Sequence, residues 1–197
     1  MDTSWDQVNA QIAACSKCPL CEHIHHKVPG QGNPNARLMF IGEGPGQDED
    51  LQGLAFVGRA GQLLTKMIAA MNMTRDEVFI CNIVKCRPPM NRVPEPQEAQ
   101  QCLPYLRQQF ALVRPKVVVL LGATAARYVL GDHIRITRDR GNFVYKKGVW
   151  FMPTYHPSAL LRDESKKKDA WHDLKQVMQK LEEIKFENGI DPFSNNH

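Results

Sequence analysis

The 197-residue sequence has no apolar run approaching the length of a bilayer span, which excludes a membrane-spanning helix. Its start, MDTSWDQVNAQIAAC, is acidic and polar where a secretory leader would be basic and then apolar, so a cytoplasmic protein is expected. No segment repeats and none is of low complexity, which removes repeat arrays and linker-like chains. Cysteine stands at positions 15, 18, 21, 81, 86 and 102 and nowhere beyond. In a reducing compartment those six read as free thiols or metal ligands, not as disulfides. The net charge is only +4, yet Arg127 to Lys168 carries ten Lys/Arg against four Asp/Glu, so a polyanionic partner is expected for that stretch.

Two nucleotide fingerprints are also missing. The segment MFIGEGPGQDED, residues 39–50, runs from an apolar strand into a loop with Gly42, Gly44 and Gly46. A dinucleotide loop needs glycine where Gln47 stands, and a Walker loop needs a terminal Gly-Lys-Ser/Thr. The loop instead carries carboxylates, with Glu43 directly beyond the strand. Such a group either caps local amides or faces developing positive charge and orients water.

Four β-rich apolar runs, 37–42, 78–84, 116–122 and 149–154, alternate with helical patterns at 61–72, 95–113, 123–130 and about 169–186. Nearly all-apolar strands alternating with helices predict an α/β fold. The expected architecture is a single domain over residues 1–187, with a central, mainly parallel four-stranded sheet and helices on both faces. A flexible tail is expected over 188–197, after the Asn188-Gly189 stop signal. In such sheets ligands bind at the C-terminal strand ends. That rule selects the glycine loop, Asn82, the turn Gly122-Ala123-Thr124, and YHPSALLR over 155–162.

The cysteines allow two metal schemes. Cys15, Cys18 and Cys21 have C-x2-C-x2-C spacing, with His25 placed for a fourth ligand; alternatively Cys15 and Cys18 close with Cys86 and Cys102. In YHPSALLR a histidine ahead of proline puts a polar donor at the site, beside two leucines that could wedge into a base stack. For Leu161 the expectation is inward packing.

Taken in order, GEGPGQDED, GLAFVGRAGQLL, CNIVKCRPPMNRVPEP, PKVVVLLG, TYHPSALLR, the CSKC start and the DAWHDL helix resemble the family 4 uracil-DNA glycosylases, the iron–sulfur branch of that superfamily. The resemblance covers nearly the whole chain. It implies a monofunctional, monomeric enzyme that flips uracil out of DNA and hydrolyses its N-glycosidic bond. It also implies roles residue by residue. Glu43 would stabilise the cationic sugar and position water, with Glu49 a possible second acid, and His156 would donate to uracil O2. Gly42 and Gly44 would shape the substrate loop, Phe56 would stack on the base, and Asn82 would read its O4 and N3–H edge. Ser158 would touch phosphate, and Leu160 would fill the vacated stack; Arg162, in the basic stretch, is expected to contact the DNA backbone. Cys15, Cys18, Cys86 and Cys102 would hold a [4Fe–4S] cluster, leaving Cys21 and Cys81 unused. The competing reading is a non-catalytic iron–sulfur protein that binds DNA or senses redox state on the same fold.

Overall fold

The computed structural model describes residues 4–187; the tail expected over 188–197 lies outside the described residues. In chain order the elements are α1 (Trp5–Ala13), β1 (Gln31–Gly32), β2 (Leu38–Gly42), α2 (Gln47–Gln52), α3 (Arg59–Ala70), β3 (Phe79–Asn82) and α4 (Pro96–Val113). They continue as β4 (Val117–Leu121), α5 (Gly122–Leu130), α6 (Ile136–Asp139), β5 (Val144–Lys146), β6 (Val149–Thr154), α7 (Pro157–Arg162) and α8 (Lys167–Glu187).

Among the described residues the sheet has six strands in the order β1-β3-β2-β4-β6-β5, not the four expected. The inner four, β3, β2, β4 and β6, are mutually parallel and are the four runs read from the sequence. The two additions are antiparallel edges. They escaped notice because each has only two or three residues and neither is buried, so no apolar run marks them. The β5–β6 hairpin turns through Lys147 and Gly148, both at positive φ, a geometry matched to the twist of paired strands.

Burial on both sides of the sheet explains the unbroken apolar runs. Met39, Ile41, Val118 and Leu120 pack with α1, α4 and α5 on one face, through Val8, Ile12, Leu106 and Ala126. Leu38, Phe40, Val117 and Val119 pack with α3 and α8 on the other, through Leu64, Ile68, Leu174 and Val177. Alternation along each strand thus divides one apolar sequence between two cores. The chain leaves β2 toward β3 on one side and β4 on the other. A crevice therefore opens at the C-terminal ends of β2 and β4.

Candidate active site

Strand register brings the site residues level. Gly42 pairs with Asn82, and Leu121 with Thr154, so β2, β3, β4 and β6 end at one rim. Glu43 follows β2, Asn82 closes β3, Thr124 lies in the first turn of α5 after β4, and His156 caps α7 two residues beyond β6.

Across the crevice the hydroxyl of Thr124 donates a hydrogen bond to Glu43 Oε2. The carboxylate is thereby held from the opposite strand end. Asn82 is 1% exposed, and its Oδ1 is buried with no hydrogen-bond partner among the described residues. An unmet buried acceptor costs about 1–3 kcal/mol, so it marks a place where a donor belongs. The room for that donor depends on Gly42: a Cβ there would stand 2.5 Å from Asn82 Oδ1 and 2.5 Å from Phe56 Cζ. Glycine is required by close approach.

Phe56 supplies a flat wall. Its backbone is left-handed at φ +52°, a conformation that costs a non-glycine residue about 1 kcal/mol or more and persists only where surroundings enforce it. Arg75 enforces it by donating to the carbonyls of Phe56 and Ala55 at 3.0 and 2.6 Å. Gly61 of α3 allows the helix to press on the Phe56 carbonyl, where any Cβ would collide. The Phe56 and His156 rings lie 5.6 Å apart, inclined at 33°.

His156 is set as a neutral donor. Its Nδ1 accepts from the backbone N–H of Ser158 at 3.1 Å and lies 2.8 Å from Ser158 Oγ. An Nδ1 that accepts leaves the proton on Nε2. Burial, reinforced by the positive charge of Arg162, lowers the imidazole pKa to about 4. Behind it Thr154 donates to Asp173 at 2.6 Å, and Arg140 grips the same carboxylate at 2.7 and 3.0 Å, anchoring the end of β6 to α8. Burial raises the Asp173 pKa, against the pull of Thr154 and Arg140.

Glu49 is hydrogen-bonded to three backbone amides. Its carboxylate accepts from the N–H groups of Gly46 (3.1 Å), Val57 (2.8 Å) and Gly58 (2.7 Å), so it caps α2 and ties that helix to the start of α3. Next to it buried Asp50 accepts from the His25 backbone at 3.0 Å and from His25 Nδ1 at 2.8 Å, fastening the histidine loop.

The two leucines of α7 are reversed from expectation. Leu160 is 2% exposed and sits among α3 and α8, while Leu161 is 36% exposed. On a one-and-a-half-turn helix successive side chains differ by about 100°, so only one of the pair can face inward. Leu160 is that one, and Leu161 is the one left at the surface. Ser158 and Arg162 flank it on the same helix.

On the other face of the sheet, Cys15, Cys18, Cys21, Cys86 and Cys102 line one cavity, walled by Ile12, Leu20, Val84 and Tyr105. Burial, and then the neighbouring Cys102 and Cys18, push the Cys86 thiol up to about 12. Among the described residues no three ligand side chains are already drawn together around a metal position. Cys81 lies elsewhere, fully buried within β3. Sequence reading missed Arg75, Lys85 and Asp173, because each has a side-chain or backbone partner distant in the chain, Phe56, Gln109 and Thr154 respectively; Thr124 it placed only as part of a turn.

The profile described as Uracil DNA glycosylase superfamily matches residues 29–175. The chain is 42% identical to the "Type-4 uracil-DNA glycosylase" of Sulfurisphaera tokodaii over 183 residues, covering 88% of this chain and 83% of the relative. It is 44% identical to the protein of that name from Thermotoga maritima over 160 residues, 80% of this chain and 83% of the relative. To that of Archaeoglobus fulgidus it is 39% identical over 88% of this chain and 92% of the relative. With the strand-end crevice, these matches establish that the chain belongs to the type-4 branch of the uracil-DNA glycosylase superfamily.

Proposed function

We propose that this protein removes uracil from DNA by hydrolysing the bond between N1 of the base and C1′ of the sugar, releasing uracil and leaving an abasic site. The observation that carries the reading is Asn82 Oδ1, a buried acceptor without a donor, beside Phe56 and the gap kept by Gly42. Uracil flipped from the stack supplies the missing N3–H, while its ring lies on Phe56. Base flipping costs a few kcal/mol, and stacking on an aromatic ring returns about 1–3 kcal/mol of it. The amide group of Asn82 then meets O4.

As the bond breaks, its electron pair passes to the base and charge gathers on O2. The Nε2–H of neutral His156 donates there, a role in which one donor typically contributes about 10²–10³ in rate. The sugar becomes cationic at C1′. Glu43, aimed by Thr124, faces that charge and orients the water whose oxygen joins C1′; the proton that water loses passes to the carboxylate and is finally taken up by the released uracil anion. Glu49 acts as a positioning residue for the loop, consistent with its three backbone donors. Gly44 keeps the loop close to β3, since a Cβ there would stand 2.8 Å from Val84. Ser158 and Arg162 meet phosphate, and exposed Leu161, not Leu160, enters the vacated stack.

Cys15, Cys18, Cys86 and Cys102 hold a [4Fe–4S] cluster in this reading. Support comes from the shared cavity and from soft thiolate donors, the set such clusters take. The cluster supplies a structural tie between the N-terminal segment and the loop after β3. The enzyme works as a cytoplasmic monomer.

The test is incubation with oligonucleotides bearing a single uracil, followed by hot alkali. Strand breaks at the uracil position, lost in Asn82→Ala, support the reading. No breaks with the wild-type protein, or full activity in Asn82→Ala, would overturn it.

A further inference from the structure

Lys85 lies between the base pocket and the cysteine cavity and is 1% exposed. Its ammonium donates to two neutral acceptors, the Asn82 carbonyl at 2.8 Å and Gln109 Oε1 at 2.7 Å. Gln109 is oriented for this by its own amide, which donates to the Pro29 carbonyl at 2.7 Å. Among the described residues no carboxylate reaches the ammonium. Glu98 lines the same cavity but is already engaged by both Arg92 nitrogens and by the Glu95 N–H.

Removing an ammonium from water without an anion costs several kcal/mol, and two neutral carbonyls do not offset that. Hydrogen bonding alone would be served by a neutral side chain. The remaining acids in the cavity are the Tyr105 phenol, which burial holds further toward its neutral form, and the cysteines, and Lys85 touches one of these through its own backbone: its N–H donates to Cys102 Sγ at 3.3 Å. Four thiolates carry a charge of −4, which exceeds that of a dication and of a [4Fe–4S]²⁺ core alike. A metal group held this way remains anionic, and a buried cation beside it is the fitting counter-charge.

We propose that Lys85 is a positioning residue that neutralises the excess negative charge of a metal group held by Cys15, Cys18, Cys86 and Cys102, and that the same ammonium fixes the peptide of Asn82. The inference rests on the thiolate reading given above. One cation then links the structural centre on one face to the base-reading side chain on the other.

The test compares Lys85→Met and Lys85→Gln with wild type, as purified holoproteins. Removing the positive charge favours the oxidised, less negative state of an iron–sulfur group. Its reduction potential should fall by at least a tenfold change in the redox equilibrium, about 59 mV for one electron. Loss of metal to a chelator should be at least tenfold faster, a readout that serves equally for zinc. Gln should behave like Met, because it restores hydrogen bonding but not charge. Where neutral variants do not fold, Gln109→Glu keeps Lys85 but diverts its charge, and should move potential and chelator loss in the same directions by less. Wild-type potential and retention in a folded Met variant, or recovery in the Gln variant, would overturn the counter-charge. Metal-free wild-type protein would instead overturn the thiolate reading and the inference with it.

Discussion

Asn82 and Lys85 are three residues apart, yet they serve two sites built in different ways. The pocket at Asn82 is assembled from residues next to strand ends, with a left-handed Phe56 and an unmet acceptor held ready. The cavity at Lys85 is assembled from α1 and its following loop, the segment after β3, and α4, with apolar walls and thiols. The first leaves one buried acceptor, Asn82 Oδ1, without a partner among the described residues, as the proposed exchange of substrate and product requires. The second encloses donors suited to a permanent occupant. The difference separates chemistry from stability, and variants at each should fail differently.

The largest expected effect tests that separation directly. Glu43→Gln and His156→Ala should each slow single-turnover uracil release by about 10²–10³, with melting temperature and DNA affinity nearly unchanged. Cys86→Ala or Cys102→Ala should bleach visible absorbance and lower stability, while Cys21→Ala leaves both intact. Slow chemistry in a fully folded Cys86→Ala protein would break the division. Bleaching by Cys21→Ala alone would reassign the ligands.

Next comes Gly42→Ala, which adds one methyl group between Asn82 Oδ1 and Phe56. Overpacking of that kind costs roughly 1–3 kcal/mol, so uracil release should fall about 10–100-fold. Binding to uracil-free DNA should not change. An equal loss of both would place the damage in the fold instead of the pocket.

How far the sequence reveals each site follows from the same contrast. The four inner strands were legible because burial on both faces leaves long apolar runs, and the strand-end rule then located Glu43, Asn82 and His156. Edge strands of two or three half-exposed residues left no such trace. The Leu160/Leu161 reversal was hidden because both are leucine, and only the rotation of α7 against α3 distinguishes them. The three amide donors of Glu49 come from a turn and a second helix start, contacts that spacing does not encode. Lys85 was invisible for a stronger reason: lysine normally signals surface, and its partner Gln109 is on α4, beyond a long loop.

A smaller effect is expected at Thr124, whose hydroxyl reaches Glu43 across the crevice. Thr124→Val keeps the shape and removes the donor. A hydrogen bond to a charged group is worth about 1.5–3 kcal/mol. Glu43 retains its charge, so the lower end applies and release should slow about tenfold. Combining Thr124→Val with Glu43→Gln should add little to Glu43→Gln alone, because Thr124 acts through that carboxylate. Additive losses would give Thr124 a contact of its own with substrate.

The smallest effect concerns pH, and it sharpens the comparison because a free imidazole would titrate near 6.5. In the folded protein burial and Arg162 hold His156 near 4, and Nδ1 is occupied by Ser158. The neutral Nε2–H donor is therefore present throughout the range above 4, and the rate of uracil release should show no inflection near 6.5. Stability behaves differently. Between 6.5 and 4 the unfolded chain binds a proton that folded His156 does not, so the folded state loses stability as pH falls through that window. Asp50, held below its usual value of 3.8 by His25 despite burial, adds a further loss at lower pH. Arg162→Gln removes the repelling charge but not the burial, which is the larger cause, so the His156 pKa should rise only slightly. Its imidazole resonances, followed by NMR, should still titrate well below 6.5. A wild-type rate profile that falls with a midpoint near 6.5 would mean that the ring is exposed and charged in the working enzyme, and the neutral-donor role would be lost.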